Sequence, residues 1–382
     1  MNKPKILAAS LTVILTILAN SNLSFFTSVN QPSKDSTCYQ YESNEQFQSF
    51  LKSRHHHQNG GNLCVQKDTG GTGRVNATFL MLCRNAEVYQ VLETLQTIQD
   101  RFNNKFHYDY TFLNDEPFTD EFIYLVGSYI PFSKVNFGLI PQDHWSYPHH
   151  INVTACAEIR ANFANVPYGD SESYRHMCRF YSGFFYKHPF VRSYEYYWRI
   201  EPGIKLHCDI QQDLFQYMHT NNKKYAFAIS LFEYIDTIPS LWSHVFQYLS
   251  KYNVDPGLLP VLANSDGHYN LCHFWSNFEI ARVDTFDNPE YERFFQYLDS
   301  TGGFYYERWG DAPVHTIGTM LFLKKEEIHW FANLGYHHPP YTQCPQDLDE
   351  FVENRCVCDS EDDVTWNENL SCTPHFLSYL GV

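Results

Sequence analysis

Positive charge is scarce in this chain. Lysine and arginine number 27 against 43 aspartates and glutamates, a net charge of −16. Such a surface repels a phosphate backbone, which excludes a nucleic acid as partner. A GxGxxG turn and a Walker P-loop are both missing, so the dinucleotide oxidoreductase and P-loop readings lose their main support. The 11 cysteines show neither paired CxxC spacing nor a compact framework, which argues against structural zinc. No internal repeat is visible, so a solenoid is excluded as well.

What is present is length and aromatic mass. At 382 residues the chain suits one large domain with a substantial core. Its 28 tyrosines and 31 phenylalanines must mostly fill that core, and the remainder offer flat faces to ligands. Lys3 and Lys5 precede an uncharged run from Ile6 to Ala19, with further apolar residues to Phe26. Residues 6–26 therefore read as an uncleaved signal-anchor behind a cytoplasmic tail of residues 1–5, with a cleaved signal peptide as the alternative. Residues 27–73 are polar, with His55-His56-His57 and the pairs Gly60-Gly61 and Gly70-Gly71, as in a solvated stem. The globular domain is expected over 74–382. In an exported protein some cysteines pair, the odd total leaves at least one thiol free, and their connectivity cannot be read from spacing. Sequons at Asn76, Asn152 and Asn369 are compatible with export.

The domain reads as α/β. Ala77–Cys83 is a continuous apolar run suited to a buried parallel strand. Asn85 is expected to cap a helix through Val88, Val91, Leu92, Leu95, Ile98 and Phe102. A second strand follows at Tyr108–Leu113, and the right-handed βαβ unit so formed brings Arg84 and Asn114-Asp115 to one carboxyl edge. Ser171 is expected to cap the helix carrying Tyr174, Arg175, Cys178 and Arg179. The central strand is expected at Tyr194–Glu201, where period two alternates Tyr194, Tyr196, Trp198 and Ile200 with Glu195, Tyr197, Arg199 and Glu201. Pro202-Gly203 stops it and leaves Glu201 at the edge where ligands bind. Tyr225–Leu231 reads as a further strand, Pro239–Tyr252 as a helix with Leu241, Val245, Phe246 and Leu249 inward, and Tyr291–Leu298 as a short helix.

Several side chains carry chemistry. Arg84 and Asp115 lie where a nucleotide is expected, and Glu201 with the imidazoles of His337 and His338 would suit a divalent metal such as manganese. Glu279 and Asp311 are carboxylates able to serve a sugar's anomeric carbon. Each also has a structural reading: a salt bridge from Glu279 to Arg282 or another arginine, and turn positions for Asp311 and the two histidines.

Between Asn76 and Cys344 the chain resembles the fungal GDP-mannose-dependent α-1,2-mannosyltransferases, glycosyltransferase family fifteen. The resemblance rests on ordered blocks: Phe112-Leu-Asn-Asp-Glu-Pro-Phe118, Ser173-Tyr-Arg-His-Met-Cys-Arg-Phe180, Tyr196-Tyr-Trp-Arg-Ile-Glu-Pro202, Tyr269-Asn-Leu-Cys-His-Phe-Trp-Ser-Asn-Phe-Glu-Ile280, Arg308-Trp-Gly-Asp-Ala-Pro-Val-His315 and Gly335-Tyr-His-His-Pro-Pro340. It implies a GT-A-like mixed sheet flanked by helices that transfers mannose with retention in the Golgi. Site roles follow from it: Glu201 and His338 for Mn2+, Glu279 as nucleophile with Asp311 as a second carboxylate, Tyr174 in the substrate site and Arg84 on the donor. Asp115 is expected beside that donor. GDP-mannose and mannose-containing glycans on proteins, N- or O-linked, are the implied partners, with the membrane engaged through the anchor. Gly203 departs from the family, where a larger or acidic residue is common. A lectin-like, inactive mannan binder is the rival from the binding class, and a metal-free glycoside hydrolase using Glu279 and Asp311 is the rival enzyme.

The N-terminal charge pattern predicts that the large domain is lumenal and glycosylated. In intact vesicles it should resist added protease until detergent is supplied; digestion without detergent would contradict that topology.

Overall fold

The computed structural model describes residues 73–381 apart from 164 and 368, together with the short strands Ser36–Cys38 and Cys64–Gln66. The expected tail, the anchor and most of the stem, its three histidines included, lie outside the described residues; within the stem Ser36–Cys38 pairs antiparallel with Cys64–Gln66.

The run Tyr196–Ile200 forms the middle of a seven-stranded sheet, because aromatic and β-branched side chains fit a pleat buried on both faces. Tyr196, Trp198 and Ile200 enter one core layer with Phe79 and Phe215, while Tyr197 enters the other with Phe185 and Phe286. From one edge the sheet runs Ile328–Trp330, Tyr225–Phe227, Glu279–Arg282, Tyr196–Ile200, Ala77–Leu82, Asp109–Asn114, Val135–Leu139. Glu279–Arg282 is antiparallel to both of its neighbours, and the remaining pairs are parallel. The chain therefore leaves Leu82, Asn114 and Ile200 at one edge, and Glu279 enters its strand at that same edge, opposite Arg199. The expected βαβ unit is present, with its helix at Val88–Ile98.

Several expectations need correction. Asn85 does not cap the helix: a 3-10 turn at Asn85–Glu87 precedes it, closed by Glu87 Oε2 accepting the Arg84 N–H at 2.7 Å. The Asn85 side chain instead braces the next loop, donating to Pro117 O at 3.0 Å and accepting the Thr119 N–H at 2.9 Å. Tyr225–Leu231 is two strands. Side chains of Trp330 and Gln343 take the Ala228 carbonyl at 2.8 and 2.9 Å, which ends the ladder, and Ser230–Phe232 then pairs with Cys272–Phe274. The central strand begins at Tyr196 rather than Tyr194 and ends at Ile200. Pro289–Thr301 is longer than expected, since Asn288 caps it and Gly302, at φ +79°, terminates it. Phe246 is 48% exposed, and Tyr248 takes the inward position.

Beyond Ile200 the chain turns through Gly203 at φ +91°, a conformation other residues adopt with strain, and the Gly203 N–H donates to Thr94 Oγ1 at 2.8 Å. It then joins a three-stranded sheet of Lys205–Leu206, Tyr336–His338 and Tyr341–Thr342. That sheet carries His338 back toward Glu201. Disulfides Cys208–Cys356, Cys272–Cys372 and Cys344–Cys358 pin the C-terminal segment, while Cys83, Cys156 and Cys178 are free and buried.

Cys272–Cys372 closes 100 residues and holds the last helix, Thr373–Leu380, against the two-stranded ladder of Ser230–Phe232 and Cys272–Phe274. Replacing both cysteines by serine should lower unfolding free energy by about 2–5 kcal/mol, read from denaturant midpoints. An unchanged midpoint would show that the bridge restrains nothing.

Candidate active site

Arg199 and Glu201 lie two residues apart at the end of the central strand, which places both on one face. Arg199 is nearly buried, at 3% side-chain exposure. Its Nη2 and Nε donate to Glu201 Oε1 at 2.6 and 3.1 Å, and its Nη1 donates to the Asp311 carboxylate. The guanidinium carbon sits 3.6 Å from the centroid of the Tyr181 ring. Asp311 is the first residue of the helix Asp311–Phe322, and its Oδ2 also accepts from Ser276 Oγ at 2.8 Å. Both donors fall on Oδ2, leaving Oδ1 without a donor among the described residues. Burial opposes the charge of both carboxylates, but Arg199 outweighs it: Asp311 is held below its ordinary value, and Glu201, aided by His338, is held down to about 2.

Glu201 keeps Oε2 for His338, whose Nε2 lies 3.2 Å away. The imidazole is steadied by Trp275, edge-on at 4.9 Å between centroids. One carboxylate oxygen and one imidazole nitrogen thus converge at the cleft wall, a hard and borderline pair that would suit a divalent cation. No cluster of three metal-ligating side chains occurs among the described residues. His337 turns away, with Nδ1 2.8 Å from Thr342 Oγ1.

These groups border a cleft of about 1080 Å³ that also receives Arg84, Asp115 and Tyr174. Arg84 reaches the Ser173 hydroxyl, and Asp115 follows the strand end at Asn114. Tyr174 is set by Ser171, which caps the helix Glu172–Gly183 as expected. Of the expected site residues, Arg84, Asp115, Tyr174, Glu201, Asp311 and His338 come together here, and Glu279 does not.

Glu279 is fully buried beneath the cleft floor. Its carboxylate accepts the Tyr197 hydroxyl, the Tyr225 hydroxyl at 2.8 Å and His315 Nδ1 at 2.7 Å. His315 Nε2 faces Tyr181 O at 2.8 Å, so both ring nitrogens meet acceptors and the ring is a cation. Burial pushes the His315 value down, but Glu279 more than reverses it. The expected partner Arg282 instead binds Asp284.

Arg199, Ser276, Trp275 and Arg308 also face this cleft without having been singled out as site residues. Arg199 had a signal, since period two puts it on the same face as Glu201. Ser276 and Trp275 lay inside the aromatic block and had none.

A carboxylate, an imidazole and an arginine gathered at the carboxyl edge of a mostly parallel sheet, over a cleft with room for a nucleotide and sugars, define a GT-A-type glycosyltransferase. The chain belongs to the glycolipid 2-alpha-mannosyltransferase family, whose profile matches residues 30–381. It is 60% identical over 375 residues to the Probable mannosyltransferase MNT3 of Candida albicans, covering 98% of each chain. It is 48% identical over 309 residues to the Alpha-1,2 mannosyltransferase KTR1 of Saccharomyces cerevisiae, covering 79% of this chain and 78% of that one. Among solved structures it resembles Core-mannan synthase A of Aspergillus fumigatus in its Mn/GDP form, with TM-score 0.76, 34% identity, and 83% and 88% of the two chains covered. The mannosyltransferase Ktr4p of S. cerevisiae in complex with GDP matches with TM-score 0.75 at 34% identity, covering 90% and 94%.

Glu279→Gln keeps the shape but gives an amide to a site built from three donors, so stability should fall by about 1–3 kcal/mol. The raised His315 value contributes stability that is fully present below about pH 6.5 and is lost as pH rises through its folded value. The variant lacks that contribution. The gap from wild type should therefore be wider at about pH 6 than at about pH 9 in thermal melts. A gap independent of pH would contradict the His315 cation.

Proposed function

We propose that the protein is a retaining α-1,2-mannosyltransferase that moves mannose from GDP-mannose to α-mannoside glycans, N- or O-linked, on glycoproteins of the cell wall. We assign it to the Golgi membrane as a single-pass type II protein, with residues 6–26 as anchor and the domain lumenal. Among the described residues no helix is long and apolar enough to cross a membrane. The observation that carries the enzymatic reading is the convergence of Glu201 Oε2 and His338 Nε2 beside the Arg199–Asp311 pair in one cleft. Relatives solved with GDP, and with Mn and GDP, support it.

In this reading Glu201 and His338 hold manganese, which neutralises charge on the diphosphate when bound. Arg84 and Asp115 serve the nucleotide end, and Tyr174 serves the sugars. Retention requires the acceptor oxygen to arrive on the face that GDP leaves. A carboxylate near the anomeric carbon then stabilises the oxocarbenium-like state, whether or not it bonds to it. We assign that role to Asp311, which borders the cleft beside Arg199, since Glu279 is enclosed by its three donors. This reading gives the catalytic role to Asp311 and makes Glu279 support for the floor.

Glu201→Gln should raise the manganese and GDP-mannose concentrations needed for half-maximal activity by at least roughly tenfold. Asp311→Asn should cut turnover by about 10²- to 10³-fold while GDP still shifts the melting temperature. Unchanged manganese activation in the first variant would remove Glu201 from the site. A loss of only a few-fold in the second would leave Asp311 as a structural partner of Arg199.

A further inference from the structure

Tyr168 lies on the cleft with 62% of its surface exposed and with φ at +56°, a left-handed conformation that is costly for an aromatic residue. Its ring stacks on Tyr174 at 4.6 Å between centroids and an interplanar angle of 10°. Tyr174 in turn lies 5.3 Å from the Arg308 guanidinium carbon, and Arg308 Nη2 lies 3.4 Å from Glu233 Oε1. That same Glu233 oxygen accepts the Tyr234 N–H at 2.8 Å, and Tyr234 is 58% exposed and also lines the cleft. A row therefore runs from the exposed Tyr168 phenol through Tyr174 and a nearly buried arginine and glutamate to the backbone of Tyr234, whose exposed side chain also borders the cleft. The Nε of Arg308 is buried without a hydrogen-bond partner among the described residues.

The chemistry of this row matches a pyranose. Sugar C–H faces settle on aromatic rings, and planar charged groups such as guanidinium and carboxylate take adjacent hydroxyls. The position matters as much as the chemistry. Arg308 is joined to Asp311 through Trp309 and Gly310, so the row adjoins the carboxylate assigned to the transferred sugar. We propose that Tyr168, Tyr174, Arg308, Glu233 and Tyr234 form a second acceptor subsite that holds the mannose next to the one receiving the new residue. The inference rests on the mannosyltransferase reading and adds a chain-length preference to it: acceptors with two mannose units are used better than those with one.

The test compares kcat/KM for α-1,2-mannobiose and methyl α-mannoside at saturating GDP-mannose and manganese. Wild type should favour the disaccharide, and Tyr168→Ala should reduce that preference ratio by about tenfold, the scale of one lost ring contact. Tyr168→Phe should restore it. GDP-induced thermal shifts in each variant report folding and the nucleotide site separately. An unchanged ratio in Tyr168→Ala, or a variant that loses GDP binding instead, would overturn the subsite and in the second case make Tyr168 a platform for the base. Wild type that binds GDP yet transfers to neither acceptor would sink the mannosyltransferase reading, and the subsite with it.

Discussion

The site depends on one buried cation. Arg199 is 3% exposed and is shared by two carboxylates, Glu201 and Asp311. Removing a guanidinium from water costs several kcal/mol unless its partners are well placed, and here the carboxylates and the Tyr181 ring supply that placement. The consequences run outward. Arg199 keeps Glu201 ionised and turns its second oxygen to His338, and it fixes Asp311 at the start of its helix. Without the shared cation, two anions would face each other at the edge of the sheet.

A second charged pair lies one level down. Glu279 enters the antiparallel strand opposite Arg199, so the same register that builds the site also buries a carboxylate beneath it. His315 compensates that charge within the core, and the two tyrosine hydroxyls complete it. The cleft floor therefore rests on a neutralised network rather than on apolar packing alone. Such networks fix geometry because a partly satisfied version is costly. The small three-stranded sheet and the disulfides Cys208–Cys356 and Cys344–Cys358 then hold the strand bearing His338 in reach of Glu201.

Much of this was legible beforehand where the signal was local or periodic. The βαβ unit, the Ser171 cap and the strand that delivers Glu201 all follow from apolar runs and turn chemistry. Gly203 and Pro202 mark the end of that strand to within a residue. What failed was decided by distant partners. Nothing near Ala228 announces that Trp330 and Gln343 take its carbonyl and split a strand. Nothing near Glu279 announces His315, which lies on another element. The motif around Glu279 carries the carboxylate, but its burial depends on the whole fold. Arg199 was a missed opportunity, because its alternation with Glu201 was in plain view.

The central claim is that this cleft transfers mannose with retention. It is met most directly by incubating the purified domain with GDP-mannose, manganese and methyl α-mannoside, and identifying the product by NMR. The account predicts a disaccharide with an α-1,2 bond, formed in step with GDP release. A β-linked product, or GDP release that yields only free mannose despite abundant acceptor, would contradict it.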